Sequence, residues 1–183
     1  MVQASHKGGA FERLMAKTLS LWMTEGKEPK ALMRSVLSGG WAMAGSQGWR
    51  QAGDLAPNTP EGEEFRRLFV VECKHRKAID FWHYFTAIPG ENIMGWWDKL
   101  TGECQKIQQE NGTLYPYPLL LFRLNRRPIM AATIKEILHP SIPLLMTLNS
   151  GYQQGTLAII TLDDFLSRSF EAYSYQILHG DSR

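Results

Sequence analysis

The stretch FVVECKHRK, residues 69–77, constrains this chain more than any other. Val70 and Val71 read as a strand entering a core, yet Glu72 and Lys74 follow at once. Because side chains alternate along a strand, Val70, Glu72 and Lys74 share one face and Phe69, Val71 and Cys73 the other. A carboxylate and an ammonium thus stand side by side on a strand that starts in the interior. Such a pair can bind a hard cation and keep a proton-handling or phosphate-contacting group next to it. The bland alternative is a surface ion pair at a strand end, worth little.

With 183 residues, 44% hydrophobic and 11% aromatic content, the chain can bury one compact core, and a single domain over 1–183 is expected. The apolar run Leu119–Phe122 is far short of a membrane span, and MVQASHKGGAFERL lacks the apolar region of a secretory signal, so a soluble, cytoplasmic protein is expected. Cys73 and Cys104 have no metal-ligand spacing and do not make a disulfide framework. A net charge of +2 gives no blanket case for nucleic acid, so local clusters must carry it. These are Arg66 with Arg67; Lys74, His75, Arg76 and Lys77; and Arg123, Arg126 and Arg127. Any one of them could be a solvated strand end; together they flank the same candidate strands.

Phe11, Leu14, Met15, Thr18 and Trp22 recur at helical spacing and predict a helix over Gly9–Glu25, stopped by Gly26. Glu12 falls on the flank of that apolar face, beside Leu19 and Met23. A strand is expected over Leu32–Leu37, then a glycine-rich turn, then a short strand ending near Asp54–Ala56 before Pro57. NTPEGEE reads as an exposed loop, and FRRLFVVECKHR as the strongest strand. A helix over Ile93–Glu110 follows, with Ile93, Trp97, Leu100, Cys104 and Ile107 in one stripe. YPYPLLLFRLN and RRPIMAATI read as strands joined around Asn125–Arg127, and TLAIIT as a last strand. Thr161 and Asp164 form a capping box opening a C-terminal helix with Phe165, Leu166 and Tyr173. This order predicts an α/β or α+β domain with a central mixed sheet covered by helices.

Asp54 lies 18 residues before Glu72, where hairpin-like pairing would bring the two together, and Glu12 supplies a third acid from another element. KGGAFERLMAKTL with Glu12, SGGW…GDLAP with Asp54, and FVVECKHRK with Glu72 and Lys74 together resemble the PD-(D/E)XK nuclease superfamily, which has the restriction-endonuclease-like fold. The order of a K-G-x-x-x-E-R helix start, an S-G turn, an acid and a strand ending in E-x-K is most similar to archaeal-type Holliday-junction resolvases and their phage relatives. The motifs cover about residues 6–77 and the pattern extends to about 125, with a C-terminal strand and helix over about 156–178. Asp54 follows Gly53 instead of proline, and the Asp54–Glu72 loop and the segment from Glu136 to Gly155 are longer than in a minimal resolvase.

The resemblance implies metal-assisted phosphodiester hydrolysis on DNA, in the setting of recombination or repair in a bacterial or phage-infected cell. Asp54 and Glu72 would ligate Mg²⁺ or Mn²⁺, with Glu12 completing the shell directly or through water, and Lys74 would orient the nucleophile or stabilise the transition state. Lys7, Ser38, Arg66, Arg67, His75, Arg76, Lys77, Arg126 and Arg127 would contact the DNA; a plain turn serine is the alternative for Ser38. It further implies a two-fold dimer cutting two strands of a branched DNA, through the surface around Trp96 or the stripe Phe170, Tyr173 and Ile177. The competing roles are a restriction- or repair-type nuclease on linear DNA, a non-catalytic DNA-binding protein of the same fold, and a hydrolase of small phosphoesters.

Overall fold

The computed structural model describes residues 3–35, 52–77, 92–112, 116–149 and 155–179. Helix α1 (Gln3–Met23) is followed by short strands β1 (Leu32–Arg34) and β2 (Leu55–Pro57). Helix α2 (Pro60–Leu68) runs without a break into β3 (Phe69–Arg76). Helix α3 (Ile93–Asn111) leads to β4 (Tyr117–Leu124) and β5 (Ile129–Ile134). A 3₁₀ turn (Lys135–Ile137), β6 (Met146–Asn149), β7 (Thr156–Thr161), α4 (Leu162–Leu166) and α5 (Phe170–His179) complete the described chain.

The architecture is mixed α/β, as expected. Five strands lie in the order β3-β4-β5-β7-β6, with β1 and β2 as a separate antiparallel pair. Strands β3 and β4 are parallel, because α3 returns the chain between them, and the remaining pairs are antiparallel. The alternation read in FVVECK is realised. Phe69, Val71 and Cys73 pack with Phe11, Met15 and Leu19 of α1 and with Phe165 and Tyr173. Val70 packs on the opposite face with Trp97, Leu100, Cys104 and Ile107 of α3. Glu72 and Lys74 therefore belong to the α3 side of an edge strand.

Several expectations need correction. NTPEGEE is not a loop: Thr59 caps α2, its hydroxyl accepting from the Gly62 amide, and Pro60 takes the first turn. The buried face of α1 is Phe11, Met15, Ala16, Leu19 and Ser20, while Leu14 is 44% exposed. That rotation puts Glu12 in line with Ala16 and Leu19, at spacings of four and seven residues, so it points toward the core side and not along a flank. Trp96 and Trp97 are both buried, which removes the proposed dimer surface around Trp96. Phe170 and Tyr173 are buried as well, and the exposed apolar residues of α5 are Tyr175 and Leu178. Thr161 does cap a helix, accepting from the Asp164 amide at 3.0 Å, but that helix is the short α4 with Phe165 and Leu166, and Tyr173 lies on the separate α5. The long insertion contains edge strand β6, which was not foreseen. Among the described residues, no helix is long and apolar enough to cross a membrane.

Candidate active site

Strand β3 uses one of its two edges to pair with β4, and Asp54 occupies part of the other. The Asp54 amide donates to the Val71 carbonyl at 2.8 Å, and the Cys73 amide donates to Asp54 Oδ2 at 2.8 Å. Since backbone groups of alternate residues point to the same edge, Val71 and Cys73 present theirs outward while Glu72 faces β4. Among the described residues, these contacts cover part of the edge of β3 that β4 leaves. Gly53 makes the approach possible: its φ is +75°, and a Cβ there would lie 2.4 Å from the Val71 carbonyl oxygen. The Ser35 amide holds the Asp54 carbonyl from the other side at 2.8 Å.

Glu72 is buried, and its Oε1 accepts from two ammonium groups: Lys74 Nζ on the same strand, and Lys99 Nζ on α3 at 3.2 Å. Lys99 also pairs with Glu103 one turn on, at 3.7 Å. Glu103 Oε2 in turn accepts from the Gly53 amide at 3.0 Å, so α3 is tied to the turn that presents Asp54. Lys99 and Glu103 were missed by sequence reasoning. Their signal was a K-x-x-x-E pair, which supplies ordinary helix-surface support at this spacing and was eclipsed by the apolar stripe of the same helix.

The electrostatics are uneven. Burial, followed by repulsion from Glu72 and to a smaller extent Glu12, raises the Asp54 pKa from 3.8 to about 7, against the opposing pull of the Cys73 amide and Lys74. Burial also raises Glu103, which Lys99 partly offsets. Burial opposes the charge on Lys99, but the Glu72 and Glu103 carboxylates outweigh it and hold its pKa above the usual value. Burial raises the Cys73 thiol as well, and that residue sits in the α1-side core, in keeping with a packing role.

The structure brings Asp54, Glu72 and Lys74 together. Glu12 lies within electrostatic reach of Asp54, but its carboxylate is held by Arg34 Nε of β1. Among the described residues, no group of three or more His, Cys, Asp or Glu side chains is gathered closely enough to hold a metal. Asp54 and Glu72 are the acids that converge most closely, with Glu12 drawn toward Arg34.

Of the candidate DNA contacts, Arg66 is misplaced. It lies on α2 facing inward, 1% exposed, with its guanidinium donating to the Phe69 and Ala52 carbonyls. Burial lowers its pKa to about 10. Reading 66–68 as strand hid this, since the helix puts Arg66 on the buried face it shares with Gly62 and Phe65, at spacings of four and one, while Arg67 is exposed. The other basic residues gather at the carboxyl ends of β3 and β4. The Asn125 amide donates to the Arg76 carbonyl at 3.1 Å, which sets the exposed turn carrying Arg126 and Arg127 beside Arg76 and Lys77. His75 lies against the Phe11 ring, with Nε2 3.1 Å from Asn125 Oδ1. Arg76 lies over the Trp96 ring. Lys7 is in α1 with its side chain outside the described residues, and Ser38 also lies outside them.

A search of the curated proteins and a search of the solved structures returned no match. A family model described as "Phage putative PDDEXK endonuclease" matches residues 3–172, from the first turn of α1 into α5. The five-stranded mixed sheet flanked by helices is consistent with a restriction-endonuclease-like fold. Because the match spans nearly the whole chain and takes in Glu12, Asp54, Glu72 and Lys74, this protein belongs to the phage PDDEXK endonuclease family, whose name suggests nuclease activity.

Proposed function

We propose that the protein is a soluble, cytoplasmic, metal-dependent DNA endonuclease that hydrolyses phosphodiester bonds in branched DNA in the manner of a Holliday-junction resolvase. The observation that carries the reading is the convergence of Asp54 and Glu72 with Lys74 beside the basic end of the sheet. Two hard oxygen donors, Asp54 with its pKa raised first by burial and then by the nearness of Glu72, suit a small divalent cation that would relieve their repulsion. Asp54 and Glu72 would hold Mg²⁺ or Mn²⁺, and Glu12 would act through water. When bound, such an ion supplies a water acidic enough to attack at neutral pH and positive charge to match that building on the phosphate.

The chain's own groups do the rest. The Cys73 amide and Gly53 fix Asp54 on the strand edge, so it needs no reordering when DNA arrives. Lys74, bonded to Glu72, would orient the attacking water or meet charge developing on the phosphate. Arg76, Lys77, Arg126 and Arg127, with His75 behind them, would follow the phosphate backbone, and the resulting affinity would be sequence-tolerant and salt-sensitive. Junction resolution needs two such sites related by a two-fold axis. Tyr175 and Leu178, exposed on α5, are the apolar surface in keeping with pairing of two copies.

The test is incubation with four-way junctions, flaps, nicked duplexes and linear duplexes, with Mg²⁺ or with chelator. Paired cuts across a junction, only with the ion present, are expected. Cleavage of linear duplex in preference to every branched substrate would replace the resolvase reading with a restriction- or repair-type one. A strict monomer by light scattering, with and without a junction, would refute the paired cut.

A further inference from the structure

Lys74 is the ammonium that the strand motif supplies; Lys99 comes from α3 and contacts the same Glu72 oxygen. The two differ in setting. The Lys99 side chain is 57% exposed while that of Lys74 is 19% exposed and that of Glu72 2% exposed. A divalent cation held by Glu72 would compete with both ammonium groups for the same carboxylate charge. The more exposed ammonium is the one that can leave. It also has somewhere to stay, because Glu103 is 3.7 Å away and is itself anchored by the Gly53 amide.

Resting on the metal-dependent nuclease reading above, we infer that Lys99 is a displaceable counter-ion of Glu72. With a metal bound, Lys99 would leave Glu72, its ammonium would stay paired with Glu103 at the rim, and the same ammonium would be shared with the phosphate of the bound DNA. Without metal, Lys99 shares with Lys74 the neutralisation of a buried carboxylate. With metal and DNA, the Glu72 charge is met by the ion and the incoming phosphate becomes the anion within reach of Lys99. Glu103 is a positioning residue in this scheme, acting through Lys99 and through the Gly53 turn.

The experiment compares the parent with Lys99→Ala, Lys99→Gln, Lys99→Arg and Lys106→Ala, the last removing an exposed lysine of the same helix. In the absence of DNA, Mn²⁺ binding is titrated by electron paramagnetic resonance, with thermal melts confirming that each variant is folded. Lys99→Ala and Lys99→Gln should bind Mn²⁺ several-fold more tightly, up to roughly tenfold for one positive charge removed near a divalent ion in water, while Lys106→Ala matches the parent. Unchanged or weaker Mn²⁺ binding in both neutral variants would overturn the counter-ion role. At saturating Mn²⁺, Lys99→Ala should cleave junction DNA at least tenfold more slowly, with Lys99→Arg restoring most of the rate. A Lys99→Ala variant as fast as the parent would overturn the phosphate contact. A parent that binds Mn²⁺ but cuts no DNA would instead refute the nuclease reading and the phosphate contact together, and the Mn²⁺ comparison would still judge the counter-ion.

Discussion

Replacing Asp54 by Asn should make the protein more stable while removing its activity, and the gain should depend on pH. In the folded protein the Asp54 pKa is raised from 3.8 to about 7, first by burial and then by Glu72. A raised carboxyl pKa means that the folded state holds the proton more tightly than the unfolded chain does. The associated stability is therefore fully present below about pH 4 and is lost as pH rises through about 7. The difference between the two values corresponds to roughly 4 kcal/mol carried as a penalty at pH 8. Asn keeps an oxygen for the Cys73 amide, which now donates at 2.8 Å, and carries no charge to desolvate or to repel Glu72. Its own amide hydrogens need a partner at a position only 8% exposed, which returns part of the gain at about 1–3 kcal/mol. A net stabilisation of about 2 kcal/mol at pH 8 is expected, shrinking toward zero or reversing at pH 4. Urea unfolding at the two pH values with chelator present measures it. Equal or lower stability of the variant at pH 8 would refute the argument that Asp54 is held ionised at a cost. Adding Mg²⁺ at pH 8 should stabilise the parent and leave the variant unchanged, since the ion relieves the repulsion that Asn has already removed.

Three further outcomes follow from the geometry. Gly53→Ala forces a positive φ on a side chain that meets the Val71 carbonyl, so a loss of at least about 1–3 kcal/mol in a urea melt is expected, with cleavage falling because Asp54 is pushed off the strand edge. Arg66→Ala leaves the Ala52 and Phe69 carbonyls without their guanidinium and should cost about 3 kcal/mol or more, while a folded variant keeps the parent's salt dependence of DNA binding; a melt like the parent's with weakened binding would restore Arg66 to the DNA path. Replacing Arg126 and Arg127 by Ala should weaken binding alike across sequences and reduce the log–log salt slope by about one per lost phosphate contact, and an unchanged slope would place the DNA elsewhere.

The strand carrying Glu72 and Lys74 was legible because alternation is set by backbone geometry alone, and a strand buried on both faces leaves few readings for a charged pair at its end. Helix α3 was legible for the same local reason, its stripe of Trp97, Leu100, Cys104 and Ile107 lying in one core. Helix α2 was hidden by three glutamates and a glycine that resemble a loop, although Thr59 and Pro60 form a helix start that could have been recognised. Arg66 was misassigned as a consequence, since the direction of a side chain depends on whether its element turns by 100° or 180° per residue. Asp54 was placed beside Glu72 by expecting strand pairing. The actual arrangement is a glycine turn stapled to a strand edge, and the long-range amide contacts that make it leave no periodic signal. Lys99 and Glu103 were illegible because their partners lie on β3 and at Gly53, and helix periodicity does not report what a polar face meets across the fold.

If Asp54 and Glu72 act together on DNA, removing either carboxylate ends cleavage without ending binding. The parent, Asp54→Ala and Glu72→Ala are assayed for Mg²⁺-dependent cleavage of a labelled four-way junction, alongside junction binding in Ca²⁺ and circular dichroism of each protein. Both variants are expected to fold and to bind the junction about as well as the parent, with cleavage abolished. Mg²⁺-dependent cleavage at the parent's rate in either folded variant would contradict the joint action of the two carboxylates.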